Sequence, residues 1–220
     1  RAMVEDLRAE LSLRHVRVVP CIDDPHAGRD LFAGTRPGYL RSTRGRVVAA
    51  RIAASIPQHG SDLWERMADA IERAVVAGAE HVVLVGSDIP GLTRRTLRRA
   101  YTLLCTHDLV VGPSADGGFY LIGVGSHVGA RELLIATGYR GRAGAEATDG
   151  AEEDSGTRLL SVAQAAGLRT ATLPVLRDVD TVDELRQVLA AKDVRAPRLR
   201  RIAAETQVAL FPYTGEKERR

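Results

Sequence analysis

The chain has 220 residues, of which 45% are hydrophobic, enough to bury the core of one large globular domain. Its formal net charge is +3, its acidic and basic residues are interspersed, and lysine occurs only at Lys192 and Lys217, so we expect no nucleic-acid partner. No apolar run reaches the length of a membrane span and no signal-peptide pattern is present, so we expect a cytoplasmic protein without a transmembrane segment. Cys21 and Cys105 lie far apart in apolar settings, which predicts buried free thiols.

The first quarter of the chain carries weaker patterns than the rest. Apolar residues recur at helical spacing over 3–11, HVRVVPCI (15–22) is typical of a strand, and residues 46–56 fit either a strand or a helix. A Gly- and Pro-rich stretch between them predicts a loop. Because the chain enters a helical pattern directly after Arg1, we expect a segment upstream of it.

From residue 62 onwards the pattern is clearer. LWERMADAIERAVVAG predicts a helix with Asp62 as its N-cap, Glu65 in a capping box and Gly78 as its end. HVVLVG (81–86) predicts a strand buried on both faces of a parallel sheet. The later predictions are a helix at 93–104, strands at 108–112 and 118–124, a helix at 128–136, a loop at 141–156, a helix at 157–167, a strand at 169–176, and helices at 181–191 and 195–205. This alternation predicts the α/β class, as a three-layer α/β/α sandwich with a mainly parallel sheet.

Carboxylates follow two of the predicted strands. Ligands of open α/β sheets bind at the carboxyl ends of the strands, where LVGSDIPGL (84–92) places Asp88. Either Asp88 or Ser87 caps the helix after Pro90, or Asp88 binds a cation. RDVDT (177–181) offers the same alternatives, because Asp178 or Asp180 can cap the next helix or face Asp88 across the sheet.

A third feature is GPSADGGFYLIGV (112–124), where Asp116, Gly117 and Gly118 separate two strand-like runs. The glycines let the backbone pass close to a ligand, and Asp116 can accept hydrogen bonds from hydroxyl groups. The alternative is a hairpin with an Asp-Gly turn. Carboxylates at three neighbouring strand ends predict a pocket for Mg²⁺ or Mn²⁺ and a phosphorylated ligand, with the ion stabilising a departing pyrophosphate.

Four segments together resemble a known family in order and spacing: QHGSDLWERM (58–67), VLVGSDIPGL (83–92), DLVVGPSADGGFYLIGV (108–124) and DVDTVDEL (178–185). The chain is similar over roughly residues 1–190 to the bacterial glycosyltransferase-A-like family named the radical-SAM/selenodomain-associated transferase 1 group. The wider superfamily comprises the nucleotide-diphospho-sugar transferases and, more distantly, the molybdenum cofactor and phospholactate guanylyltransferases.

The resemblance implies roles for individual residues. Asp88 and Asp180 correspond to metal-binding positions, with Asp178 as the less favoured choice, and Asp116 is the candidate general base. Asp62 is as well explained by its N-cap role as by substrate binding. The candidate substrate-binding residues are Gln58, Asp62, Arg66, Ser87, Pro90, Gly117, Gly118 and Tyr120.

The chain also departs from the family pattern. The family begins with a strand and a phosphate loop containing Gly, Lys and Arg, and neither precedes Arg1, which predicts an N-terminally truncated domain. Trp64 stands where relatives have glycine, and TGYRGRAGAEATDG replaces a Trp-Ser-Thr segment. We expect one glycosyltransferase-A-like domain over 1–192 and a peripheral helix and tail over 193–220. The arginines of that last part are expected on a solvent face: Arg195, Arg198, Arg200 and Arg201.

The expected function is transfer of a sugar from a nucleotide-diphosphate donor to an unknown small acceptor, with Mg²⁺ or Mn²⁺ as cofactor. A nucleotidyltransferase that releases pyrophosphate is the first alternative, because it shares the fold and the metal site. A non-catalytic remnant is the second, because the phosphate loop is missing. The partners are accordingly a nucleotide-sugar or a nucleotide, together with the acceptor.

Overall fold

A computed structural model describes residues 21–22, 40–41, 47–48, 56–143, 154–191 and 196–205 of the chain. The helix predicted at 3–11 and most of the strand at 15–22 lie outside these residues. The loop predicted at 141–156 lies outside them except at its two ends.

The described residues form eight strands and six helices. The strands are β1 (Cys21–Ile22), β2 (Leu40–Arg41), β3 (Val47–Val48), β4 (Ile56–Pro57), β5 (His81–Val85), β6 (Leu109–Pro113), β7 (Phe119–Gly125) and β8 (Thr170–Thr172). The helices are α1 (Leu63–Val76), α2 (Arg94–Leu104), α3 (Ala130–Ala143), α4 (Ser155–Ala165), α5 (Val182–Ala190) and α6 (Pro197–Glu205). Within the described ranges no helix is long and apolar enough to cross a membrane.

Four strands form one sheet in the order β5–β7–β6–β8. β7 is antiparallel to both β5 and β6, whereas β6 and β8 are parallel. Therefore β5, β6 and β8 point the same way, and their carboxyl ends meet at one edge of the sheet. Two short pairs stand apart from this sheet, a parallel pair of β1 with β4 and an antiparallel pair of β2 with β3.

The α/β class is confirmed, but the sheet is mixed rather than mainly parallel. β6 ends at Pro113 and β7 begins at Phe119, so only residues 114–118 join them. A parallel connection needs a crossover of about a dozen residues or more, so this short link produces an antiparallel hairpin. β5 is at the edge of the four strands and only its Val82 is fully buried, so the expected burial on both faces is not observed there.

Helices cover both faces of the sheet and complete the three layers. Leu109 and Val111 of β6 pack in one core cluster with apolar residues of α1, α3 and α4. Val110, between them, packs in a second cluster with the apolar face of α2. This alternation follows from the strand period of two, which sends successive side chains to opposite faces. The edge at which β5, β6 and β8 end therefore lies between two packed layers.

The limits of α1 agree with the predicted signals. Asp62 is the N-cap, and its side chain accepts a hydrogen bond from the Glu65 N–H at 2.9 Å. The Glu65 carboxylate accepts from the backbone N–H of Ser61 at 2.7 Å, one residue before the N-cap. Gly78 follows the helix with φ of 93°, a left-handed conformation that glycine adopts without strain.

Three sequence predictions about other helices are wrong. α3 continues to Ala143, beyond the predicted end at residue 136. Cys105 is exposed rather than buried, because it is the C-cap of α2 and follows the last buried residue of that helix. Arg200 does not lie on a solvent face: it donates to the carbonyls of Leu189 and Ala191. The last carbonyls of a helix lack partners within it, so Arg200 joins α6 to the end of α5.

An ion pair between a buried carboxylate and an exposed arginine lies at the opposite edge of the sheet, where β6 and β8 begin. Asp108 is only 7% exposed. It accepts hydrogen bonds from the Arg169 guanidinium at 2.7 and 3.1 Å, from the Arg169 N–H at 2.9 Å and from His127 at 2.9 Å. The hydrogen bonds from Arg169 are the main reason that the pKa of Asp108 lies well below its ordinary value.

The variant Asp108→Asn tests this ion pair. At pH 7 we expect it to lower the free energy of unfolding by about 2 kcal/mol, because charged hydrogen bonds are lost and Arg169 keeps its charge. Folding lowers the pKa of Asp108, so its stabilisation is present above the unfolded-state pKa of about 3.9 and is lost as the pH falls below it.

We therefore expect urea denaturation at pH 7 to give a clearly lower free energy of unfolding for the variant than for wild type. At pH 3 the difference between the two free energies should be smaller. Asp183→Asn is the matched control, because Asp183 pairs with Arg186 on an exposed helix surface and should change stability little. Equal stability of Asp108→Asn and wild type at pH 7 would contradict the prediction.

Candidate functional site

The loop after β5 does not use its carboxylate as a helix cap. The N-cap of α2 is Thr93, whose hydroxyl accepts from the Thr96 N–H at 3.3 Å. This excludes the cap alternative for both Ser87 and Asp88. Ser87 is exposed and Asp88 is half-buried, with its Oδ1 so close to Gly86 that a Cβ there would lie 2.7 Å from it.

At the second strand end, too, a threonine rather than an aspartate caps the following helix. Thr181 is the N-cap of α5 and forms a capping box with Glu184. The Glu184 carboxylate accepts from the backbone N–H groups of Asp180 at 2.8 Å and Thr181 at 2.7 Å. Because Thr181 and Glu184 satisfy the first turn, neither Asp178 nor Asp180 is the cap, and both carboxylates remain at the strand end.

The third feature is both a hairpin and a carboxylate site, so the two interpretations of its sequence hold together. Residues 114–118 form the turn between β6 and β7, and Gly117 has φ of 91°, which favours glycine. Oδ1 of Asp116 accepts hydrogen bonds from the Ser114 hydroxyl and from the Gly118 N–H, the latter at 2.9 Å. Asp116 itself is exposed.

Backbone pairing brings this turn to the segment that follows β8. The Ala115 N–H donates to the Leu176 carbonyl at 3.0 Å, and the Leu176 N–H donates to the Pro113 carbonyl at 3.2 Å. Ser114 and Leu176 form an isolated parallel bridge. The pairing extends the β6–β8 ladder past the end of β8 and places Asp178 beside the hairpin turn.

Three carboxylates converge at this edge. Among the described residues, oxygen atoms of Asp116, Asp178 and Asp180 lie within 4.8 Å of one another. Asp88 is not in this trio, but its charge acts on Asp178. Mg²⁺ and Mn²⁺ prefer oxygen ligands, so the chemistry of this donor set fits such an ion. The structure thus groups Asp116 and Asp178 with the predicted ligand Asp180.

The pKa values of two of these carboxylates are shifted in opposite directions. Hydrogen bonds from the Ser114 hydroxyl and the Gly118 N–H hold the pKa of Asp116 below its ordinary value. Burial raises the pKa of Asp178, and the negative charges of Asp116 and its other neighbours raise it further. Asp116 is therefore stabilised in its ionised form, whereas Asp178 carries most of the cost of crowding the carboxylates.

The other predicted site residues have diverse surroundings. Gln58, Asp62 and Arg66 lie around the start of α1, where the Arg66 Nε donates to the Gly60 carbonyl at 3.3 Å. Tyr120 is only 2% exposed, and its hydroxyl donates to the Pro174 carbonyl at 3.0 Å. This placement gives Tyr120 a structural role, and burial raises its pKa to about 12.

Sequence reasoning missed three residues that shape the site. Thr93 and Thr181 are the caps that leave the carboxylates at the strand ends, and Thr181-x-x-Glu184 carries the capping-box signature that could have identified it. Ser114 had no such signal, because its contact with Asp116 depends on the conformation of the turn.

The fold is that of a known structural class. The structure matches the crystal structure of a protein from Desulfovibrio desulfuricans G20, provisionally assigned as a nucleotide-diphospho-sugar transferase, with a TM-score of 0.65 and 24% sequence identity. The match covers 93% of this chain and 81% of that chain. No curated protein gives a significant match.

A family model matches residues 21–140, more than half of the chain; it is described as "Uncharacterized protein conserved in bacteria (DUF2064)". The chain belongs to this family. The matched range includes the hairpin turn with Asp116 and the loop with Asp88, but ends before Asp178 and Asp180.

The variant Asp178→Asn tests the crowding of the carboxylates. Because folding raises the pKa of Asp178, its ionisation opposes folding at neutral pH, and an uncharged amide removes that cost. In EDTA at pH 7 we expect a higher melting temperature, by roughly 2–4 °C, the shift that about 1 kcal/mol produces in a domain of this size. At pH 3 the difference should vanish. A variant less stable than wild type in EDTA at pH 7, with Asp183→Asn unchanged, would contradict the prediction.

Proposed function

We propose that the chain transfers a sugar from a nucleotide-diphosphate donor to a hydroxyl group of a small acceptor, with Mg²⁺ or Mn²⁺ as cofactor. The observation that carries this proposal is the convergence of Asp116, Asp178 and Asp180 at the edge where the parallel-pointing strands end. The fold shared with the Desulfovibrio protein supports the same class of donor. We further propose that the chain belongs to the radical-SAM/selenodomain-associated type of these transferases.

The residues of the cluster have separate tasks in this proposal. A divalent ion bound here supplies positive charge to the donor diphosphate as it becomes the leaving group. In this proposal Asp116 holds the ion from the hairpin turn, and Asp180 holds it from the segment after β8. Asp178 completes the ligand set when it is ionised, and Asp88 adds negative charge from the loop after β5.

The general-base role of Asp116 stays a prediction. A base that removes a proton from an acceptor hydroxyl works best when its pKa is near the operating pH. Two hydrogen bonds lower the pKa of Asp116, so its geometry favours cation binding over proton removal. Asp116 can still orient an acceptor hydroxyl, because a carboxylate accepts hydrogen bonds from such groups.

Gln58, Arg66, Ser87, Pro90, Gly117 and Gly118 are the proposed substrate-binding residues. Gly117 and Gly118 follow Asp116 in the turn, where Asp154 and Ser114 lie too close to leave room for side chains, so any contact they make with a ligand is through backbone atoms. Ser87 is exposed beside Asp88. Arg66 offers a guanidinium group, which suits a phosphate.

A thermal-shift titration tests the proposal. The uridine, guanosine, cytidine and thymidine diphosphates are added to the full chain, each with and without Mn²⁺. We expect one nucleotide to raise the melting temperature only when Mn²⁺ is present, and its sugar derivative to be turned over with release of the nucleoside diphosphate. Asp180→Asn should raise the Mn²⁺ concentration needed for this shift at least tenfold, because a cation ligand is lost. Asp183→Asn should leave that concentration unchanged.

Each other outcome has a definite meaning. Turnover of a nucleoside triphosphate with release of pyrophosphate would replace the proposal by the nucleotidyltransferase alternative. Failure of all four nucleotides and of Mn²⁺ to bind would support the non-catalytic alternative and refute the proposal.

A further inference from the structure

We propose that Ser114 is a positioning residue that holds Asp116 in the orientation needed to bind a cation. This inference rests on the cation role proposed above for the carboxylate cluster. It concerns a residue without assigned role, buried at the end of β6, whose hydroxyl acts on the site.

Ser114 is one of three buried polar or charged residues in the described part of the chain, with Asp108 and Thr137. The other two serve the fold. Asp108 forms the ion pair with Arg169, and the Thr137 hydroxyl donates to the Leu133 carbonyl of its own helix at 2.8 Å. Ser114 differs because its hydroxyl donates to an exposed carboxylate of the candidate site.

Two hydrogen bonds fix the same oxygen of Asp116. The Ser114 hydroxyl and the Gly118 N–H both donate to Oδ1. Two donors on one oxygen restrict rotation about both side-chain torsions of Asp116. In the proposed role, Oδ2 is the atom that remains to coordinate the ion, alongside Asp178 and Asp180.

Ser114 is itself held in place by its backbone. Its N–H donates to the Gly118 carbonyl at 3.1 Å, and its carbonyl accepts from the Gly117 N–H at 3.3 Å. It also forms the bridge to Leu176. The hydroxyl is therefore anchored both to the turn and to the segment that carries Asp178, so it fixes Asp116 relative to the other two ligands.

The turn has little space for a side chain at position 118. A Cβ at position 118 would lie 2.9 Å from the Ser114 Oγ and 3.2 Å from the Asp116 Oδ1. Gly118→Ala therefore presses on the same hydrogen bond without removing the hydroxyl, which makes it an independent second variant.

The experiment measures Mn²⁺ affinity directly, from the electron paramagnetic resonance signal of free Mn²⁺, without nucleotide or turnover. Partners that orient metal ligands typically change metal affinity by about 10–100-fold. We expect Ser114→Ala and Gly118→Ala each to weaken Mn²⁺ binding by about tenfold or more. Ser114→Thr, which restores a hydroxyl, should bind within about threefold of wild type. Ser126→Ala is the matched control, because Ser126 is exposed at the far end of β7.

Urea denaturation of every variant separates positioning from folding. A lower free energy of unfolding for Ser114→Ala with unchanged Mn²⁺ affinity would show a merely structural role and would overturn the inference. So would equal Mn²⁺ affinities of wild type, Ser114→Ala and Gly118→Ala. If wild type itself binds no Mn²⁺ at millimolar concentrations, the cation role proposed for the cluster fails and this inference fails with it. If wild type binds Mn²⁺ and both variants bind it equally well, this inference alone fails.

Discussion

The candidate site depends on two backbone hydrogen bonds between Leu176 and the end of β6, one from Ala115 to Leu176 and one from Leu176 to Pro113. They extend the β6–β8 pairing past the end of β8 and bring the segment with Asp178 and Asp180 to the hairpin turn. Without them, the carboxylates of these two segments would separate, because like charges repel. The ladder pairing thus holds together groups that electrostatics alone would drive apart.

Most helices and strands could be predicted from the sequence because local patterns mark them. Apolar periodicity and the signals at Asp62 and Gly78 placed α1 correctly. The sheet was predicted as mainly parallel, and the hairpin was only one of two interpretations of residues 112–124. The short link favours the hairpin, because the five residues 114–118 are too few to cross over a sheet. The exposure of Cys105 was missed because an apolar sequence neighbourhood does not tell which side of a helix end faces solvent.

The site was predicted in part, for a physical reason. A carboxylate after a strand can be a cap or a ligand, and the sequence left that choice open for Asp88, Asp178 and Asp180. The structure excludes the cap role for all three, because Thr93 and Thr181 cap the following helices. The grouping of Asp116 with Asp178, and the contact of Asp116 with Ser114, depend on register and turn conformation, which no single-sequence pattern encodes.

The most direct test of the account is anomalous X-ray diffraction from crystals of the chain soaked in Mn²⁺, because it locates the ion without any assumption about donor or acceptor. We expect one strong peak at coordination distance, about 2.0–2.3 Å, from oxygen atoms of Asp116 and Asp180. An ion bound elsewhere, with these carboxylates pointing apart, would contradict the central claim that this edge of the sheet is a cation site.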